Sequence, residues 1–150
     1  METVVEQDLK IGVVGAGSWG TALANLLGCK GYQLDWWVYE TDVCRQIAKQ
    51  NENKVYLPGI TLSPNLRPSN DLAAVVSGKD LVLVVVPSHV MRETTQRMAP
   101  AIGSETMVVS ASKGIENKTH LTMSGVIRET LTGLGDERLA VISGPSFARE

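Results

Sequence analysis

The hexapeptide Gly15-Ala16-Gly17-Ser18-Trp19-Gly20 lies between an aliphatic run, Ile11 to Val14, and a helical pattern. Glycines at this spacing suit a turn from a parallel strand into a helix. Gly15 makes the tight turn, Gly17 lets the backbone approach a pyrophosphate, and Gly20 lets helix and strand pack. The unpaired N–H groups of the first helical turn, where the helix dipole places about half a positive charge, then face the phosphates. The chemistry implied is binding of a dinucleotide. Glu40, twenty residues beyond Gly20, is placed to accept hydrogen bonds from the adenosine ribose hydroxyls. A carboxylate there opposes the extra phosphate of NADP, since two unit charges 4 Å apart interact by about 4 kcal/mol at an effective dielectric of 20. The expected cofactor is therefore NAD in preference to NADP. The competing role for Glu40 is that of an acid opening the next helix, and Arg45 one turn on would partly neutralise it. Tyr39 either covers the adenine or belongs to the core. Trp19 either fills space beside the loop or packs in the first turn.

Two further segments carry polar groups next to apolar strands. Val86-Pro87-Ser88-His89-Val90 reads as a strand end turning into a helix, with His89 either an acid/base group or a surface residue. In Ser110-Ala111-Ser112-Lys113-Gly114, Lys113 either reaches a bound anion or sits in a solvated turn. His89, His120, Cys29 and Cys44 form no metal-ligand spacing, so no metal is expected. Both cysteines are expected to be reduced packing residues.

The elements that position these groups alternate along the chain. Strands are expected at Lys10 to Val14, Leu34 to Tyr39, Leu66 to Arg67, Leu81 to Val86, Met107 to Ser110 and Leu139 to Ser143. Unbroken apolar runs such as Leu81 to Val86 suit strands covered on both faces. Trp19, Ala22, Leu23, Leu26 and Leu27 make the stripe of a first helix, with Gly28 and Gly31 as stops. Further helices are expected at Asp42 to Gln50, at Asp71 to Val76 capped by Asn70 or Asp71, at Ser88 to Met98, and around Met123 to Leu131. Trp36 and Trp37 should face opposite sides of one strand, as packing residues only. This order predicts an α/β fold with a doubly wound, mostly parallel, Rossmann-like sheet and helices on both faces. Ligands in such sheets bind beyond the carboxyl ends of the strands, which nominates residues 15–20, 39–42, 87–90, 110–114 and 143–148. Pro87 thereby joins the candidate cofactor contacts. Residues 51–68 break the alternation as an irregular, proline-rich connection.

With 150 residues, 43% of them hydrophobic, the chain has the size of one domain. Its 14 basic and 16 acidic residues are scattered, leaving no footprint for nucleic acid. The longest aliphatic run is too short for membrane insertion, and the acidic opening residues are unlike a secretory signal, so the expected location is cytoplasmic.

The chain resembles the bacterial-type soluble NAD(P)-dependent glycerol-3-phosphate dehydrogenases. The resemblance rests on Gly15 to Ala24, Asn53 with Tyr56-Leu57-Pro58-Gly59, Val84 to Ser88, Ser112-Lys113-Gly114-Ile115-Glu116, and Ser143-Gly144-Pro145-Ser146-Phe147-Ala148. It implies interconversion of dihydroxyacetone phosphate and sn-glycerol 3-phosphate, with hydride passing to or from a nicotinamide, in glycerophospholipid synthesis. It further implies cofactor contacts from Ser18, Trp19, Tyr39, Val90, Lys113 and Ala148, and substrate contacts from Lys113, Gly144 and Ser146. The pair Tyr39-Glu40 resembles the NAD-preferring members. The family continues into a helical catalytic domain carrying its general acid/base lysine, so residues 1–150 are expected to be the N-terminal dinucleotide-binding domain, with the catalytic lysine beyond Glu150. Such a fragment binds cofactor with little or no turnover. A homodimer is a further candidate assembly. The alternatives are a related dehydrogenase acting on a hydroxy acid or sugar acid, and a non-enzymatic NAD(H)-binding module.

Overall fold

The computed structural model describes residues 8–144. Six strands follow in chain order: β1 (Ile11–Val14), β2 (Leu34–Trp37), β3 (Leu66–Ser69), β4 (Leu81–Val84), β5 (Met107–Ser110) and β6 (Leu139–Val141). Helices α1 (Ser18–Cys29), α2 (Thr41–Gln50), α3 (Leu72–Val76), α4 (Met91–Met98) and α5 (Met123–Thr130) are set between them. Across the sheet the order is β3-β2-β1-β4-β5-β6, and every pairing is parallel. The expected Rossmann-like fold is thus present, and parallel throughout its described strands. Its order reverses between β1 and β4, which opens a crevice at their carboxyl ends.

Side-chain alternation assigns the two apolar layers. Ile11, Val13, Leu34, Trp36 and Val38 pack on one face with Ile47 of α2. Val14, Trp37, Val82 and Val84 pack on the other with Met91 and Met98 of α4 and Ile127 of α5. Trp36 and Trp37 do face opposite sides. Every residue of β1 is buried, so both layers are needed to keep it from water. Close approach matters as much as apolar character: a Cβ on Gly12 would lie 2.5 Å from the Val75 carbonyl oxygen, where α3 crosses β1.

Several expected boundaries shift. β2 ends at Trp37 and β4 at Val84, two residues short of the apolar runs, and β6 ends at Val141. Glu40 is the N-cap of α2, three residues past the end of β2, so it does open the next helix. Gly28 is not a stop but a buried residue inside α1, where a Cβ would meet Ser63 Cβ at 2.8 Å. The helix ends at Cys29 with Lys30 as its C-cap, and Gly31 supplies the left-handed turn at φ +97°. Asp71 caps α3 by accepting from Ala74 N–H. Ser88–Val90 forms a 3₁₀ turn ahead of α4. Pro68 lies within β3, an edge strand, where a missing N–H is tolerated. Cys44 is buried as expected and burial pushes its thiol up, but Cys29 is exposed and so does not act as a packing residue.

Candidate dinucleotide cleft

The loop between β1 and α1 is built from backbone constraints. Gly15 sits at φ +117°, and a Cβ there would lie 2.3 Å from the Val85 carbonyl oxygen. Its N–H donates to the Trp37 carbonyl at 3.1 Å, and its own carbonyl accepts from Trp36 Nε1 at 2.8 Å. Trp36, read from sequence as packing alone, therefore also anchors the loop. A Cβ on Gly20 would lie 2.5 Å from the Gly15 carbonyl oxygen, so helix and turn touch there. Gly17 differs from both, because nothing lies within 4 Å of the place its Cβ would occupy. It is the N-cap of α1, with no side-chain cap and no acid in the first turn. The helix end is open, and a phosphate is the kind of group that fits it.

Asn53 fixes the loop from the side. It is fully buried, and its amide donates to the Ala16 carbonyl at 3.0 Å and to Thr21 Oγ1 at 2.9 Å. Its oxygen accepts from Tyr56 N–H at 3.1 Å. Ser18 Oγ donates to the Tyr56 carbonyl at 2.5 Å, which joins the irregular connection to the first turn of α1.

Gly15, Gly17, Tyr39, Glu40, Pro87 and Val90 line one cleft of ≈ 310 Å³ at the carboxyl ends of the central strands. Tyr39 is 71% exposed and meets Trp37 edge-on at 5.9 Å, so it is not core. The Glu40 carboxylate accepts a hydrogen bond from the Tyr56 hydroxyl. That bond, then burial and the nearby negative charge, raise the Tyr56 pKa above its ordinary value. Arg45 pairs with Asp42 at 3.2 Å. Arg97 reaches the same cleft from α4 and stacks 5.5 Å from the Trp37 ring centroid. His89 is exposed on the cleft wall.

Ser18, Trp19 and Gly20 belong to the first turn of α1 and do not line this cleft. Lys113 and Gly144 line a neighbouring cavity of ≈ 420 Å³ between the ends of β5 and β6. The Lys113 ammonium lies 6.0 Å from the Trp19 ring centroid. Ser146 and Ala148 lie outside the described residues. Gly114, at φ +112°, packs against Ser88, with a Cβ position 3.2 Å from the serine side chain. Arg92 of α4 then clamps the loop by a two-pronged pair with Glu116, both contacts at 2.8 Å, and a third contact of 2.8 Å to Glu129. Arg92 and the Thr119 hydroxyl lower the Glu116 pKa to about 2. Among the described residues no group of three or more His, Cys, Asp or Glu could hold a metal, and no helix is long and apolar enough to cross a membrane.

Asn53, Tyr56, Arg92 and Arg97 were not among the sequence-derived site residues. The signal for Asn53 and Tyr56 was their place in a shared segment, but neither residue type names its partner. Arg92 and Arg97 show only as polar positions of an amphipathic helix.

Two outcomes follow from these anchors. Asn53→Ala should cost about 2 kcal/mol in urea unfolding, because it removes three hydrogen bonds, those donated to the Ala16 carbonyl and Thr21 Oγ1 and the one accepted from Tyr56 N–H, and Asn53→Asp should cost more by setting an acceptor against the Ala16 carbonyl. Equal stability of all three would contradict the anchoring role. The Glu116 contribution should be complete above its ordinary value of 4.5 and disappear as pH falls through about 2. The stability gap between the wild-type chain and Glu116→Gln, followed by circular dichroism, should therefore close across that window and stay constant above it.

Comparison with known proteins agrees with the geometry. Residues 10–150 match the family described as NAD-dependent glycerol-3-phosphate dehydrogenase N-terminus. The chain is 50% identical over 140 residues to glycerol-3-phosphate dehydrogenase (NAD(P)+) of Syntrophobacter fumaroxidans, covering 93% of this chain and 41% of that protein. It superposes on the crystal structure of glycerol-3-phosphate dehydrogenase from Coxiella burnetii with a TM-score of 0.85 and 36% identity, over 93% of this chain and 42% of the other. For the enzyme from Saccharomyces cerevisiae the TM-score is 0.80 at 29% identity, over 93% and 43%. The chain thus spans about two fifths of the length of these relatives. With its cleft at the sheet reversal and its glycine loop in place, the chain belongs to the family of NAD-dependent glycerol-3-phosphate dehydrogenase N-terminal domains.

Proposed function

We propose that residues 1–150 form the dinucleotide-binding domain of an enzyme that interconverts dihydroxyacetone phosphate and sn-glycerol 3-phosphate. The observation that carries this reading is the space over Gly17, beside an uncapped helix end in a cleft at the sheet reversal. Gly15, Gly17, Ser18, Trp19 and Gly20 hold the pyrophosphate, with N–H groups of the first turn as donors. Tyr39 and Glu40 receive the adenosine, and Pro87 and Val90 form the opposite wall. When bound, the nicotinamide supplies or accepts the hydride. Lys113, near Trp19, contributes positive charge to both cofactor and substrate phosphate, and the family resemblance implies substrate contacts from Gly144 and Ser146 and a cofactor contact from Ala148. The proton that balances hydride transfer comes from a lysine outside these 150 residues, so the chain alone binds cofactor with little turnover.

Glu40 favours NAD over NADP. Its carboxylate lies on the cleft wall, and Arg45 is engaged by Asp42. A 2′-phosphate placed there meets a repulsion of about 4 kcal/mol at 4 Å and an effective dielectric of 20. We place the protein in the cytoplasm, where soluble substrates of this kind are found.

Gly17→Ala tests the reading directly. The added methyl meets no protein atom within 4 Å, so stability in urea should stay within about 0.5 kcal/mol of wild type. It projects into the phosphate space, so the calorimetric Kd for NADH should rise roughly tenfold or more. Unchanged NADH affinity would overturn the assignment.

A further inference from the structure

We infer that Tyr56 is a positioning residue that sets cofactor specificity, by holding the Glu40 carboxylate in place on the cleft wall. The inference rests on the ribose role proposed for Glu40 and adds the group that makes this role possible. Glu40 is the N-cap of α2, yet its side chain makes no capping bond, so its own helix does not hold the carboxylate. The Tyr56 hydroxyl does, by donating to Oε1 across the cleft edge.

Tyr56 is itself held at three points. Its N–H donates to Asn53 Oδ1, its carbonyl accepts from Ser18 Oγ, and the isolated bridge Asn53–Leu57 closes the turn that carries it. Asn53 in turn donates to the Ala16 carbonyl. The position of the acid at the ribose end is therefore tied, through one short segment, to the loop at the phosphate end. The spacing between two ends of one ligand is fixed before the ligand arrives.

A carboxylate has lone pairs for about four hydrogen bonds, so a phenol on one oxygen leaves the other free to accept a pair of ribose hydroxyls. Without the phenol the glutamate side chain gains rotamers that point into solvent. Affinity for a diol then falls, and the barrier to a 2′-phosphate falls with it.

The experiment is a double-mutant cycle on the 150-residue chain. NADH and NADPH dissociation constants are measured by calorimetry for wild type, Tyr56→Phe, Glu40→Ala and the double variant, with thermal melts to confirm folding. Tyr56→Phe keeps the ring and should weaken NADH roughly tenfold while narrowing the NADH-to-NADPH preference. In the Glu40→Ala background the same change should alter NADH affinity less than about twofold. A preference ratio unchanged by Tyr56→Phe would overturn the inference. So would a Tyr56→Phe loss of the same size in both backgrounds, which would leave the role of Glu40 standing and make Tyr56 a separate contact. A preference ratio unchanged by Glu40→Ala alone would overturn the reading of Glu40 and the inference together.

Discussion

One buried amide governs the shape of the glycine loop between β1 and α1. Asn53 arrives from a segment 37 positions downstream of Ala16 and bonds its carbonyl, in a place with no exposure to water. The Ala16 carbonyl also accepts from Thr21 Oγ1 at 3.2 Å, and Asn53 donates to both, so the amide, the hydroxyl and the loop hold one another as a buried network. Trp36 provides the matching bond from the sheet side to the Gly15 carbonyl. With both carbonyls held, the chain enters α1 at Gly17, which lines the cleft and leaves the helix end without a side-chain cap. The glycines then complete the geometry in different ways: Gly15 and Gly20 by near-contact with backbone, Gly17 by contact with nothing.

The sheet makes this arrangement rigid. Its two apolar layers meet on β1, so the strand feeding the loop is buried on both faces. The α4 side carries a second device. Arg92 binds Glu116 and Glu129, which fastens the loop bearing Lys113 to the helix that follows β4. Two motifs far apart in sequence, Pro87-Ser88 and Lys113-Gly114, are thereby set against each other. Isolated surface ion pairs contribute little, but a two-pronged pair with further partners defines geometry.

Fold and loop were legible because they rest on periodicity and local chemistry. The stripe from Trp19 to Leu27, the aliphatic strands and the glycine spacing each report on neighbours within a few residues. Where the rules failed, a distant partner decided. Gly28 has the type of a helix stop but serves the approach of Ser63. The strand expected to run to Tyr39 stops at Trp37 because β3, its edge neighbour, ends opposite at Ser69. Trp36 looked like core and is core, yet its indole N–H has a task set by Gly15, 21 positions away. Tyr56 and Arg97 reach the cleft from elements whose own patterns show only partial burial or a solvated face. Sequence spacing thus exposed the glycine loop and left its supports hidden.

In the function proposed for this chain, the loop held by Asn53 and Trp36 receives a dinucleotide pyrophosphate at the first turn of α1. Backbone amide shifts of the ¹⁵N-labelled chain during titration with NADH test it most directly. The largest shifts should fall on the amides of Gly17, Ser18, Trp19 and Gly20, while those around Asp35 and Lys79, paired at the opposite end of the sheet, stay in place. Saturation with NADH that left the Gly17 to Gly20 amides unmoved would contradict the account.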